Sequence, residues 1–205
     1  MNQFIFFILL LVSNCNNQQI NNSTTIQSNS KLQETFNIAE FKDKLKDPNY
    51  EGYKLDDQTF VQQFGDDETG YIEKVIPEAG YFILFKEYYP SGTLKMKGKT
   101  YKYGNFQKGE WIECNSKGEV VKQTNYDEPF TYGFDEIKSY CEANDIDLKD
   151  NGTTLNRAFE ADKPIWYLSY NTRELELDAY IIKNIEISGS DGSIKELPPS
   201  SWMDN

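Results

Sequence analysis

The chain has 205 residues, a formal net charge of −12 and no histidine. An acidic chain repels phosphate backbones, which argues against nucleic acid as a partner. Without histidine, Ser-His-Asp and Cys-His catalysis and the common His-bearing zinc sites are excluded.

Phe4 to Val12 reads FIFFILLLV, an apolar run too short to span a bilayer and of the right length for a signal-peptide core. Leu11-Val12-Ser13-Asn14-Cys15 follows and resembles a bacterial lipobox, in which the cysteine becomes the lipidated first residue. Asn14 stands where such boxes carry Gly, Ala or Ser, and no Lys or Arg precedes Phe4. The resemblance implies a signal peptide over 1–14, lipidation at Cys15 and a membrane anchor through that lipid. Asn16 to Ser30 is almost wholly Asn, Gln, Ser and Thr. Such a segment buries little apolar area, so 15–35 is expected to be a flexible tether.

Residues 36–70 are expected to form short helices. Phe36, Ala39, Phe41 and Leu45 recur at roughly helical spacing, and Asp47-Pro48 ends the pattern. Leu55 to Phe64 is a second helical candidate, with Phe60, Val61 and Phe64 on one side. GDDETG, Gly65 to Gly70, is an acidic loop. Asp66, Asp67 and Glu68 there are the candidates for calcium binding or for carboxylate hydrolysis, and a solvated turn is the simpler expectation.

From Tyr71 the period changes to that of strands. Tyr71 to Ile76 and Tyr81 to Tyr88 read as strands broken by Pro77 and Gly80. An internal repeat follows. Phe85-Lys-Glu-Tyr88 aligns with Trp111-Ile-Glu-Cys114, and the same offset of 26 places Gly92 on Gly118 and Leu94 on Val120. Each copy is a hairpin whose glycine stands where the turn wants positive φ, so Gly92 and Gly118 are structural turn residues. A hairpin buries little by itself, and the copies are expected to join one sheet over 71–128.

Further on, Phe134, Ile137 and Cys141 share one helical face, which makes Cys141 a core thiol. Pro164 to Tyr170 and Ala179 to Ile187 read as strands. Ser190-Asp191-Gly192-Ser193 turns into Ile194 to Leu197, which makes Gly192 a third turn glycine. Asn144 to Gly152 echoes a calcium loop but lacks a glutamate at the twelfth position, so an EF-hand is rejected. Spacing leaves open whether Cys114 and Cys141 bond.

Tyr88-Tyr89-Pro90-Ser91-Gly92-Thr93-Leu94, Tyr101, Gly104 and Gly109-Glu110-Trp111 resemble the MORN-like repeats of the YwqK-family antitoxins. Helix, then P-x-W-x-x-x-Y, then I-x-I-x-x-x-D-G-x-I is loosely similar to a PepSY-type unit over 129–205. The fold class expected is α+β: antiparallel MORN-like hairpin repeats plus a C-terminal helix-and-antiparallel-sheet unit. The resemblances imply a non-enzymatic, envelope-anchored binding protein of the immunity or antitoxin type. The alternative is a structural or assembly lipoprotein of the bacterial envelope. No catalytic residue, cofactor or metal is expected. A protein partner, favoured to be basic by the charge of the chain, is expected. Tyr101 and Tyr103 are the candidate exposed contacts.

Overall fold

The computed structural model describes residues 31–55, 58–176 and 179–202. Phe4 to Val12, Cys15, and Asp56 and Asp57 lie outside the described residues. The fold is built mostly of antiparallel sheet, with two short helices among the described residues.

Helix α1 (Ile38–Lys44) comes first. Its N-cap is Asn37, whose side chain accepts the Glu40 N–H at 3.1 Å. Seven strands follow: β1 (Tyr53–Lys54), β2 (Phe60–Asp66), β3 (Gly70–Ile76), β4 (Phe82–Tyr88), β5 (Leu94–Tyr101), β6 (Gln107–Cys114) and β7 (Val120–Asn125). They form one antiparallel meander in chain order. Helix α2 (Phe134–Ala143) leads to β8 (Thr154–Glu160), β9 (Lys163–Glu176), β10 (Ala179–Ser188) and β11 (Ile194–Trp202), which make a second sheet in the order β11-β10-β9-β8.

The helix expected over Leu55 to Phe64 is instead the strand β2. Phe60, Val61 and Phe64 do not share a face: Val61 is 2% exposed and Phe64 is 39% exposed. Strand alternation separates odd from even positions. The turn after it decides the matter. Asp66 Oδ1 accepts from the backbone N–H groups of Glu68 and Thr69 at 2.9 and 2.7 Å, and it closes β2 onto β3 as a hairpin.

The 26-residue offset reappears in the geometry. The Gly92 N–H donates to the Tyr89 carbonyl at 2.8 Å, and the Gly118 N–H donates to that of Asn115 at 2.9 Å. A register shift falls between Glu87 and Tyr88 in one hairpin and between Glu113 and Cys114 in the other. Residues 31–36 lie across both turns. The Leu32 N–H donates to the Gly118 carbonyl at 3.0 Å and the Phe36 N–H to the Gly92 carbonyl at 2.8 Å. The last part of the expected tether, 31–35, is therefore a docked strap. Besides these backbone bonds, the Glu34 carboxylate pairs with Lys86 and Lys97 of the sheet, each at 2.8 Å, partners that no local pattern in the sequence announces. Gly118 has φ +81, and a Cβ on it would meet the Leu32 carbonyl oxygen at 3.0 Å. Both the turn and the strap require glycine there.

Paired strand residues share a face, so the seven-stranded sheet divides into two sides. The inner side carries two cores, one at each end of the strands. At the turn end, Tyr71, Tyr88, Leu94 and Cys114 pack with Phe36 and Phe41 from the strap and α1. Phe36 stacks on Tyr71 with ring centroids 4.7 Å apart. At the other end, Tyr101 and Phe106 join Phe134, Ile137 and Cys141 of α2 and Leu155, Trp166, Leu168, Ile185 and Ile187 of the second sheet. The two sheets are thus tied through a shared core. Leu45, expected to lie on the apolar side of α1, is 50% exposed at its C-cap.

Candidate functional site

Two regions stand out. The first is the outer side of the seven-stranded sheet. Lys74, Phe85 and Gly98 pair across β3, β4 and β5, and Trp111 covers Gly98 from β6. A Cβ on Gly98 would lie 2.2 Å from the indole, so the absence of a side chain lets the ring rest flat on the backbone. Trp111 Nε1 donates to the Lys99 carbonyl at 3.1 Å and fixes the ring in place. Phe85 stacks beside it at 6.0 Å with an interplanar angle of 24°, and Tyr126 meets it edge-on at 6.1 Å. Ile72 and Phe64 extend the same side towards β2, where Lys74 Nζ lies 5.2 Å from the Phe64 ring. None of these side chains belongs to either buried cluster. The result is a pre-positioned aromatic surface in contact with solvent.

The second region is the junction between the sheets. Arg157 on β8 has a side chain only 6% exposed. Its guanidinium carbon lies 5.1, 4.8 and 5.6 Å from the rings of Phe106, Phe130 and Trp166. Nη1 donates to Asp127 Oδ1 at 2.9 Å and Nη2 donates to the Gln107 carbonyl. Lys108 Nζ reaches the other carboxylate oxygen of Asp127 at 3.0 Å. Two cations therefore share one carboxylate. Burial pushes the Asp127 carboxyl upward, but its bonds to Arg157, Lys108 and the Gly109 N–H outweigh this and hold it below the usual carboxylate range. Burial pulls the Arg157 guanidinium below its ordinary value. The triad separates two cavities. One, of about 320 Å³, has Arg157 in its lining with Phe106, Tyr126, Pro129, Phe130 and Phe159. The other, of about 420 Å³, lies on the inner side and includes Lys97, Lys99, Lys108 and Asp127.

The residues singled out in the sequence fall elsewhere. Gly92, Gly118 and Gly192 have φ of +81, +81 and +75 at turns, away from both regions. Tyr101, expected to be an exposed contact, is 2% exposed and donates its hydroxyl to the Leu148 carbonyl at 3.0 Å. Tyr103 is half-buried against the same core. The acidic loop is occupied with its own structure. Asp66 caps the turn, while Asp67 accepts from the Tyr71 hydroxyl and pairs with Lys42. Hydrogen bonds hold both carboxyls below their ordinary range, those from Thr69 chiefly for Asp66 and that from Lys42 for Asp67. Among the described residues no group of three His, Cys, Asp or Glu has the arrangement to hold a metal ion. Cys114 and Cys141 are both buried and unbonded. Burial pushes the Cys141 thiol up to about 12, which makes it inert as a nucleophile at neutral pH.

No family model, curated protein or solved structure matches the chain. The site must therefore be read from its own geometry. No helix among the described residues is long and apolar enough to cross a membrane. Sequence reasoning missed the junction triad. The available signal was composition: Arg157 is one of two arginines among 21 basic residues. Arginine is the cation suited to desolvated, bidentate positions.

Proposed function

We propose that the chain is a non-enzymatic binding protein of the bacterial envelope, anchored through Cys15, that docks a protein partner on the outer side of its seven-stranded sheet. The observation that carries this reading is the aromatic surface of Phe85 and Trp111, fixed over Gly98 and outside both cores. Flat aromatic anchors at the centre of an open sheet are what protein interfaces concentrate. The partner is basic. The chain carries −12, and the acidic tip of Asp66, Asp67 and Glu68 stands at the Phe64 end of this surface. Such a field steers a positively charged protein towards it.

The MORN-like resemblance supports the same reading. The repeated turn, the repeated register shift and the repeated strap bond follow the 26-residue offset that carries it. Immunity and antitoxin proteins act by occupying a partner's surface, which needs no catalytic group. Of the carboxylates considered for hydrolysis, Asp66 is engaged in turn bonds and Asp67 in an ion pair.

Two experiments test the reading. Wild type partitions into detergent and Cys15→Ala moves to the soluble fraction; a soluble wild type with another mature terminus ends the anchoring claim. A partner recovered from the native organism at low salt binds wild type but not Phe85→Ser/Trp111→Ser, and its association slows as salt rises. A partner that binds both forms equally, or recovery of envelope-assembly proteins alone, favours the structural alternative.

A further inference from the structure

Independently of the protein partner, the junction cavity has the chemistry of a small-ligand site. We infer that it binds an amphipathic monocarboxylate: an apolar body carrying one carboxylate, supplied either as a free acid or as the C-terminus of a peptide.

Charge is the first argument. Glu128 stands in the cavity lining, but Lys108 and Arg157 share the single carboxylate of Asp127, so that triad itself holds one cation in excess. The Arg157 side chain is more than nine-tenths buried, where that excess is poorly screened by water.

Donor supply is the second. A guanidinium offers five N–H groups in a rigid fork. Among the described residues, Arg157 uses one through Nη1 on Asp127 and one through Nη2 on the Gln107 carbonyl. The rest of the fork belongs to a side chain that lines the cavity. Charge-assisted bonds to a carboxylate are the strongest use of such donors.

Shape is the third. At about 320 Å³ the cavity falls in the size range of small-ligand pockets. Its walls include the rings of Phe106, Tyr126, Phe130 and Phe159, and Phe159 is 56% exposed at the cavity's rim. Asn105, Gln107, Thr124 and Asn125 supply polar contacts along the same lining. Glu128, also in the lining, disfavours a ligand with more than one negative charge. The site therefore selects one carboxylate on an apolar body over phosphate or a polyanion.

The test is a titration followed by backbone amide NMR, with 3-phenylpropanoate against its amide, and a peptide ending in phenylalanine carboxylate against the same peptide amidated. The expected result is saturable shifts confined to amides of residues 105–107, 124–128, 130 and 157–159. The neutral amides bind about tenfold more weakly or worse, because the charge-assisted bonds are lost. Arg157→Gln abolishes the preference for the acid. That variant is expected to destabilise the fold, so Ala158→Trp, which fills the cavity, and Phe159→Ala, at its exposed wall, serve as the second line. Both weaken binding while the remaining spectrum stays folded. Tighter binding of the peptide identifies a chain terminus as the source, and tighter binding of the free acid identifies a small metabolite. Equal binding of acid and amide, shifts elsewhere on the molecule, or no saturable shift with either acid overturns the inference.

Discussion

The two sides of the seven-stranded sheet are made by the same strands and meet opposite surroundings. The inner side is capped twice, by the strap and α1 at the turn end and by α2 with the second sheet at the other. Its aromatic residues, such as Tyr71, Tyr88 and Tyr101, are 1–2% exposed. The outer side also carries aromatics, but Phe85 and Trp111 remain half-buried and Phe64 is 39% exposed. Strand alternation alone does not distinguish the sides, since both are rich in large apolar residues. What separates them is which one the rest of the chain covers. A large apolar surface that the fold leaves open is a surface available to another molecule.

This contrast is broken most severely from the inner side. Trp166 has no exposed surface, packs on Phe106 and Phe130, and donates its indole N–H to the Tyr132 carbonyl at 2.9 Å. Trp166→Ala is expected to lower stability by about 4 kcal/mol in chemical denaturation. A loss under about 1 kcal/mol would mean that the two sheets do not share a core.

Arg157→Ala comes next, at about 3 kcal/mol, since it leaves Asp127 partly buried with one cation instead of two. The same pair sets an acid sensitivity. The Asp127 pKa is depressed in the folded state, so its contribution is fully present above the unfolded value near about 4 and is lost as pH falls through the lower folded value. Wild type should lose stability below about pH 4, and Arg157→Ala should lose less over that range. Parallel pH profiles for the two would contradict the triad's role.

At the turn end, Gly118→Val is expected to cost about 2 kcal/mol. It forces a β-branched residue to φ +81 and drives its Cβ against the Leu32 carbonyl. Glu119→Gln, one residue on and exposed, should be neutral by comparison. An unchanged melting temperature for Gly118→Val would show that the strap does not hold the turn. The smallest effect belongs to the outer side: Trp111→Ser should lower stability by about 1 kcal/mol, far below a core tryptophan.

Much of the strand structure was legible because it is local. The hairpins announced themselves through Gly92, Gly118 and Gly192, whose φ the turns demand. The α2 face of Phe134, Ile137 and Cys141 was legible from spacing. Three things were not. The spacing of Phe60, Val61 and Phe64 fits a helical face and not one face of a strand, and only pairing with β3 makes this segment the strand β2. The strap of residues 31–36 leaves no local pattern because its partners, the Gly92 and Gly118 carbonyls, Tyr71, Lys86 and Lys97, all lie far along the chain. The junction triad joins β6, the loop after β7 and β8, and ion pairs across such sequence distances leave no local pattern. Tyr101 failed as a surface contact for the same reason, since α2 and the second sheet arrive later in the chain to cover it, while Tyr103 is half-covered by the same core.

The most direct test of the central claim is the affinity of the recovered partner for wild type and for the Phe85→Ser/Trp111→Ser variant, measured at equal protein stability. Truncating central aromatic anchors of a true interface weakens binding by about thirtyfold or more. The account predicts that loss, together with an unchanged affinity for Val121→Ser on the edge strand β7, where Val121 is already 50% exposed. Undiminished binding by the double variant would contradict it.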